Sequence, residues 1–185
     1  REQMFESGQC QIKFANSAAI NSIQADITIA DISPDVPYSR IFGYFYNDGE
    51  HDVYAKINVF QHKVSYSVTY NIYEGGMLSW NTIAKGDLMT EIIPGQTVTA
   101  SISWNGTTLT FDADGNTATF TPTGTVNAPV NTTKSLITRI YLHTSTTPEF
   151  SWDPVPGATR YRVKIYNYDS SFTVWNGYPG DIIPG

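Results

Sequence analysis

At 185 residues with 41% hydrophobic side chains, the chain can bury a full core, which excludes an intrinsically disordered protein. The net charge is −6, with 6 basic against 13 acidic residues up to position 130 and 5 against 4 beyond it, which excludes the basic footprint of a nucleic-acid binder. The lone Cys10 excludes an internal disulfide framework without fixing the compartment, and no apolar run reaches about 18 residues, so no transmembrane segment is expected.

The opening stretch, REQMFESGQ, carries no signal peptide and reads as the start of a mature or trimmed chain. Period-two alternation then begins with Ile23, Ala25, Ile27 and Ile29, the pattern of a strand with one buried face. RIFGYFYN, residues 40 to 47, is apolar or aromatic on both faces and reads as a central strand covered on both sides. A turn, YNDGEHD, leads to a second alternating set at Val53, Ala55, Ile57 and Val59. A third set follows at Val64, Tyr66, Val68, Tyr70 and Ile72, with Ser65, Ser67, Thr69 and Asn71 facing outward.

MLSWNTIAKGDLM, residues 77 to 89, reads as a loop able to hold one turn of helix, with Trp80 on a binding rim where its ring can offer a face to a sugar. Val98, Ala100, Ile102 and Trp104 form the next strand. Leu109 with Phe111, and Ala118 with Phe120, complete a meander cornered by Asn105-Gly106 and Asp114-Gly115, the latter a strong type I′ hairpin pair. TGTVNAPVNTTKS, residues 123 to 135, is small, polar and proline-bearing, a linker or crossover. Beyond it come a strand centred on Phe150 and Trp152, a Pro-Gly turn, and an alternating strand through Tyr161, Val163 and Ile165. Eight or so strands with closely spaced turns describe an all-β chain, a two-sheet antiparallel β-sandwich or jelly roll over residues 1–130.

Trp152, Pro156, Gly157, Ala158, Tyr161 and Val163 resemble the opening of a fibronectin type III-like or immunoglobulin-like module, which assigns residues 131–185 to part of a second β-sandwich. Such a module needs about 100 residues and seven strands, so its other half is expected from a longer chain or from a partner strand. PGQTVTASISWNGTTLTFDADGNTATFTP, residues 94 to 122, resembles the concanavalin A-like (laminin G-like) jelly rolls. With INSIQADITI, it is similar to bacterial exported proteins that place such a sandwich before a fibronectin-like module. The resemblance implies a secreted or cell-surface location.

The polar cluster around Asp112 offers the oxygen ligands of a candidate calcium loop. An EF-hand needs glycine at its sixth position and glutamate at its twelfth; counted from Asp112, glycine falls at the fourth and Thr123 at the twelfth. Asp112 stays as a calcium candidate for a shallower site shared with other loops; laminin G-like domains carry calcium at one edge, but from dispersed loop residues that have no match in this sequence. A jelly-roll glucanase would place three carboxylates at alternate positions of a strand, but GEHDVY offers only Glu50 and Asp52, followed by Tyr54. His51, His62 and His143 are scattered without a second ligand at metal spacing. The expectation is a non-catalytic module for adhesion or carbohydrate recognition, with Trp80, Asp48, Asp52, Trp175 and Tyr178 as ligand-binding candidates and a glycan or cell-surface polymer as partner. A structural subunit that self-associates through sheet edges is the competing class, and a glycoside hydrolase-like enzyme comes third.

Overall fold

The computed structural model describes residues 5–14, 17–29, 38–143, 158–167 and 173–177. Among the described residues, twelve strands and one short 3-10 turn, Ser17–Ala19, make up the regular structure. The strands are β1 Phe5–Phe14, β2 Ser22–Thr28, β3 Tyr38–Asn47, β4 Asp52–Phe60, β5 Val64–Glu74, β6 Met77–Met89, β7 Thr97–Trp104, β8 Leu109–Ala113, β9 Asn116–Phe120, β10 Lys134–His143, β11 Ala158–Asn167 and β12 Thr173–Gly177. They form an eight-stranded sheet, ordered β12-β11-β1-β10-β3-β4-β5-β6, and a four-stranded sheet, ordered β2-β7-β8-β9. All the pairings are antiparallel, and the two sheets stack as a jelly-roll β-sandwich.

The alternating residues build the core between the sheets. Val53, Ala55, Ile57, Val59, Val64 and Val68 from the large sheet are at most 1% exposed, as are Val98, Ala100, Ile102, Leu109 and Phe111 from the small one. Tyr66 meets Phe111 across the gap at 4.7 Å between ring centroids, and Tyr46 stacks on Trp104 at 5.4 Å. Each such ring removes about 150–250 Å² from water, so these contacts hold the sheets together more than any polar pair does.

Four segments differ from the sequence reading. Residues 77–89 are a strand, neither a loop nor a turn of helix. Gly75 and Gly76, with φ of +60° and +80°, supply the two left-handed residues a type I′ hairpin needs, and pairing against β5 then satisfies the backbone groups on the β5 side of β6. RIFGYFYN is an interior strand, but its two faces are not equivalent. Ile41 is buried in the core while Phe42 and Tyr44 are only half-buried on the other side. The chain also contains β1 and β10, which do not alternate cleanly and carried no strand signal.

The polar stretch 123–135 acts as a crossover from the small sheet back to the large one. It is tied down by Asn47 and Asn127, whose backbone groups exchange two hydrogen bonds of 2.9 Å. It delivers β10 into the slot between β1 and β3. β11 and β12 extend the same large sheet beyond β1. Trp152, Pro156 and Gly157, on which part of the second-module reading stood, lie outside the described residues. No helix among the described residues is long and apolar enough to cross a membrane.

Candidate binding face

Directly opposed residues of an antiparallel pair share a face of the sheet. Registers between β3 and β6 therefore assemble an outer face, away from the core. β3 and β4 contribute Tyr38 opposite Phe60, Arg40 opposite Asn58, Phe42 opposite Lys56, and Tyr44 opposite Tyr54. β5 and β6 continue it with Ser67 opposite Lys85, Thr69 opposite Thr82, and Asn71 opposite Trp80.

Phe42, Tyr44 and Tyr54 form a cluster of edge-on rings, with centroids 5.3 Å apart for the two tyrosines and 6.3 Å for Phe42 to each of them. Burial raises the pKa of both tyrosines above the usual phenol value, and the Asp52 charge adds to this for Tyr44. Both hydroxyls therefore stay protonated near neutral pH and can donate hydrogen bonds. Arg40 donates from Nε to Asn58 Oδ1 at 2.7 Å, and its guanidinium carbon lies 5.0 Å from the Tyr38 ring centroid. The Lys56 ammonium lies 5.7 Å from the Tyr54 ring centroid, and burial first, then the neighbouring Arg40 charge, lowers its pKa.

Beside this cluster runs an open groove of about 520 Å³, lined in part by Lys56, Asn58, Lys63, Ser67, Lys85 and Asp87. Lys63 and Asp87 form an ion pair at 3.4 Å. Gly86 lies under this region, where an added Cβ would stand 2.8 Å from the Tyr66 ring; its bare backbone lets Tyr66 pack across the hairpin. The Ser67 hydroxyl is buried with no protein hydrogen-bond partner.

The predicted site residues are dispersed around this face. Trp80 is 67% exposed on the outer side of the edge strand β6, opposite Asn71. Asp48 is committed to its own turn. Its Oδ1 accepts from the backbone N–H of Glu50 at 2.9 Å and of His51 at 2.7 Å, and its Oδ2 lies 3.5 Å from His51 Nδ1. Burial would raise the Asp48 pKa, but these donors outweigh it and the value falls below the ordinary one. Asp52 opens β4 and accepts from Asn47 Nδ2 at 2.9 Å, Val130 N–H at 2.9 Å and Asn131 N–H at 2.6 Å. Those bonds overcome the effect of burial and lower its pKa too, so Asp52 acts as a clamp on the crossover.

Asp112 accepts from Gly115 N–H at 3.3 Å in the β8–β9 turn, where Asp114 and Gly115 both have positive φ. Among the described residues no group of three His, Cys, Asp or Glu is placed to hold a metal ion. Glu50 lies in the bend before β4, so it and Asp52 are not two positions of one strand. Trp175 sits in β12 opposite Ile165, with its side chain outside the description, and Tyr178 lies outside the described residues altogether.

Sequence reasoning missed Arg40, Phe42, Tyr44, Tyr54 and Lys56. The available signal was the non-core half of each alternation: Tyr54, Lys56 and Asn58 occupy successive outward positions of β4, as Arg40, Phe42 and Tyr44 do on β3.

No protein-family model matches the chain, and no curated protein matches it in sequence. Among solved structures it is similar to a carbohydrate binding module, CBM66, from Bacillus subtilis, at 14% identity over 77% of this chain and 81% of that one, with a TM-score of 0.40. Sheep galectin-11 matches at 14% identity over 78% of this chain and 96% of that one, with a TM-score of 0.37. The kappa-carrageenase of Pseudoalteromonas carrageenovora, in complex with an oligotetrasaccharide of kappa-carrageenan, matches at 13% identity over 82% of this chain and 54% of that one, with a TM-score of 0.36.

Proposed function

We propose that the chain is a non-catalytic carbohydrate-recognition sandwich acting at a cell surface or in a secreted setting, and that its ligand lies across the outer face of β3 to β6. The observation that carries this reading is the row of half-buried aromatic rings flanked by amide, hydroxyl and cationic groups on one rigid face. Sugars present apolar C–H patches and dense hydroxyls, and such a face can meet both at once. Rings fixed in a sheet also lose little conformational entropy on binding.

Glycan-array screening followed by calorimetry tests the reading. Tyr54→Ala is expected to weaken a glycan that binds by about tenfold or more, roughly 1.4 kcal/mol, with the far-ultraviolet circular dichroism unchanged. Undiminished affinity in Tyr54→Ala would place the ligand elsewhere.

A second reading, association through sheet edges, draws on β6. From Met77 to Ile83 this edge strand is exposed throughout and carries no charge or proline, and Met77, Leu78, Trp80 and Ile83 are all large exposed apolar residues. Edge strands left in this form are open to pairing with another strand. If β6 self-pairs, light scattering at rising concentration should show a dimer that Ile83→Lys converts to monomer, while the stability of the monomer changes by less than about 0.5 kcal/mol. A wild-type monomer at every concentration removes this reading.

A further inference from the structure

We propose that the ligand of this face is an anionic glycan, bearing carboxylate or sulfate groups, whose negative charges are met by Arg40 and Lys56 with Lys85 at the far side of the groove. The inference rests on the recognition reading above and adds the chemical class.

Charge on the molecule is segregated. Of the six basic residues up to position 130, Arg40, Lys56, Lys63 and Lys85 all belong to the outer face or its groove, although the chain as a whole is acidic. Asp87 is the one acidic residue lining the groove, and it is engaged by Lys63. Among the described residues no carboxylate forms an ion pair with Arg40, Lys56 or Lys85. Arg40 and Lys56 are held side by side by Asn58 and the rings of Tyr38 and Tyr54, none of which carries a negative charge.

Two cations in a half-buried setting repel each other and lose hydration, and a bound anion relieves both costs. The lowered pKa of Lys56 is the signature of that unrelieved state. Ser67 supplies a separate indication. Ser67 lines the same groove and is 8% exposed, and its buried hydroxyl has no partner in the protein, so a ligand oxygen reaching it would complete its hydrogen bonding. A neutral sugar would use the rings and Ser67 but would leave the two cations uncompensated.

The test is calorimetry with three sets of short oligosaccharides: uronate-bearing, sulfated and neutral. The full chain is used as wild type, Lys56→Gln, Arg40→Gln and Tyr54→Ala, each checked for folding by thermal melt. One anionic set is expected to bind wild type at least about tenfold tighter than the neutral set and to weaken as salt is raised. Lys56→Gln and Arg40→Gln should each lose about tenfold on that set and change neutral binding little. Which set prevails distinguishes carboxylate from sulfate. Neutral sugars binding as well as anionic ones, with Lys56→Gln unaffected and Tyr54→Ala impaired, would overturn the anionic assignment and leave recognition by this face standing. Failure of all three sets to bind would remove both.

Discussion

Between pH 8 and pH 10 the protein is expected to become more stable, by up to about 1.4 kcal/mol per pH unit. The source is Lys134, which β10 carries into the sandwich, where it is 2% exposed. Its ammonium donates to the Ser17 carbonyl at 3.0 Å and the Thr132 carbonyl at 3.3 Å, and lies 5.0 Å from the Phe45 ring centroid. Burial lowers its pKa from 10.5 to about 8. Between those values the unfolded chain holds a proton that the native state has lost, so raising the pH favours the native state. Below pH 8 both states are charged and the full penalty applies. Lys56, with its pKa also lowered by burial, acts in the same direction.

Above about pH 10 the sign reverses. Tyr46, pushed up to about 12 by burial and then by Asp48, stays protonated in the native state while its unfolded counterpart ionises; Tyr44 and Tyr54 shift the same way. Stability should therefore peak near pH 10. Urea titrations at pH 7, 8, 9 and 10 check this. Lys134→Met keeps an apolar stem beside Phe45 and should lose most of the rise; an equally steep rise in that variant would mean another group titrates.

Asp52→Ala is expected to cost about 2 kcal/mol, which for a chain of this size lowers the melting temperature by roughly 4–8 °C. The loss falls on three hydrogen bonds to one carboxylate, two of them from the backbone of the crossover at Val130 and Asn131. Because the site is partly exposed, water recovers some of the loss, which keeps the figure below that of a fully buried charge. Asp52→Asn retains an accepting oxygen and should cost less. The pKa of Asp52 is lowered, so its contribution is complete above about pH 4 and declines as the pH falls through the native value. A melting temperature unchanged in Asp52→Ala would show that Asn47 and Asn127 secure the crossover alone.

The core was legible because burial on one side of a strand forces a repeat of two, and β2, β4, β5, β7 and β8 all show it in their apolar residues. The Asp114-Gly115 turn was legible for the same local reason, since positive φ at both positions selects those residues. β6 was not, because its outward and edge-facing residues mix Trp80, Thr82 and Lys85 with the close-contact Gly86. β10 was not, because its place depends on partners over a hundred positions away in β1 and about that far in β3.

The candidate face lay beyond local reading in a different way. Trp80, Asp48 and Asp52 drew notice as locally unusual residues, and two of the three are committed to holding loops. Arg40 and Asn58, or Tyr44 and Tyr54, become neighbours only through strand register. Register is a property of pairs of segments, so no single segment displays it.

The position of β10 bears on how the chain reaches its native state. β1 pairs with β10 as Phe5 opposite His143 and Lys13 opposite Ser135, and β10 then pairs with β3. Until residues 134–143 are available, β1 and β3 lack the strand that joins them, and each has a bare edge facing the gap. Contacts spanning most of the sequence pay their loop-closure entropy before any hydrogen bond rewards them, so they delay the rate-limiting step. During synthesis, β3 to β6 can zip as successive hairpins first. The late arrival of one central strand then decides whether the unfinished sheet closes on itself or takes a strand from a neighbouring chain.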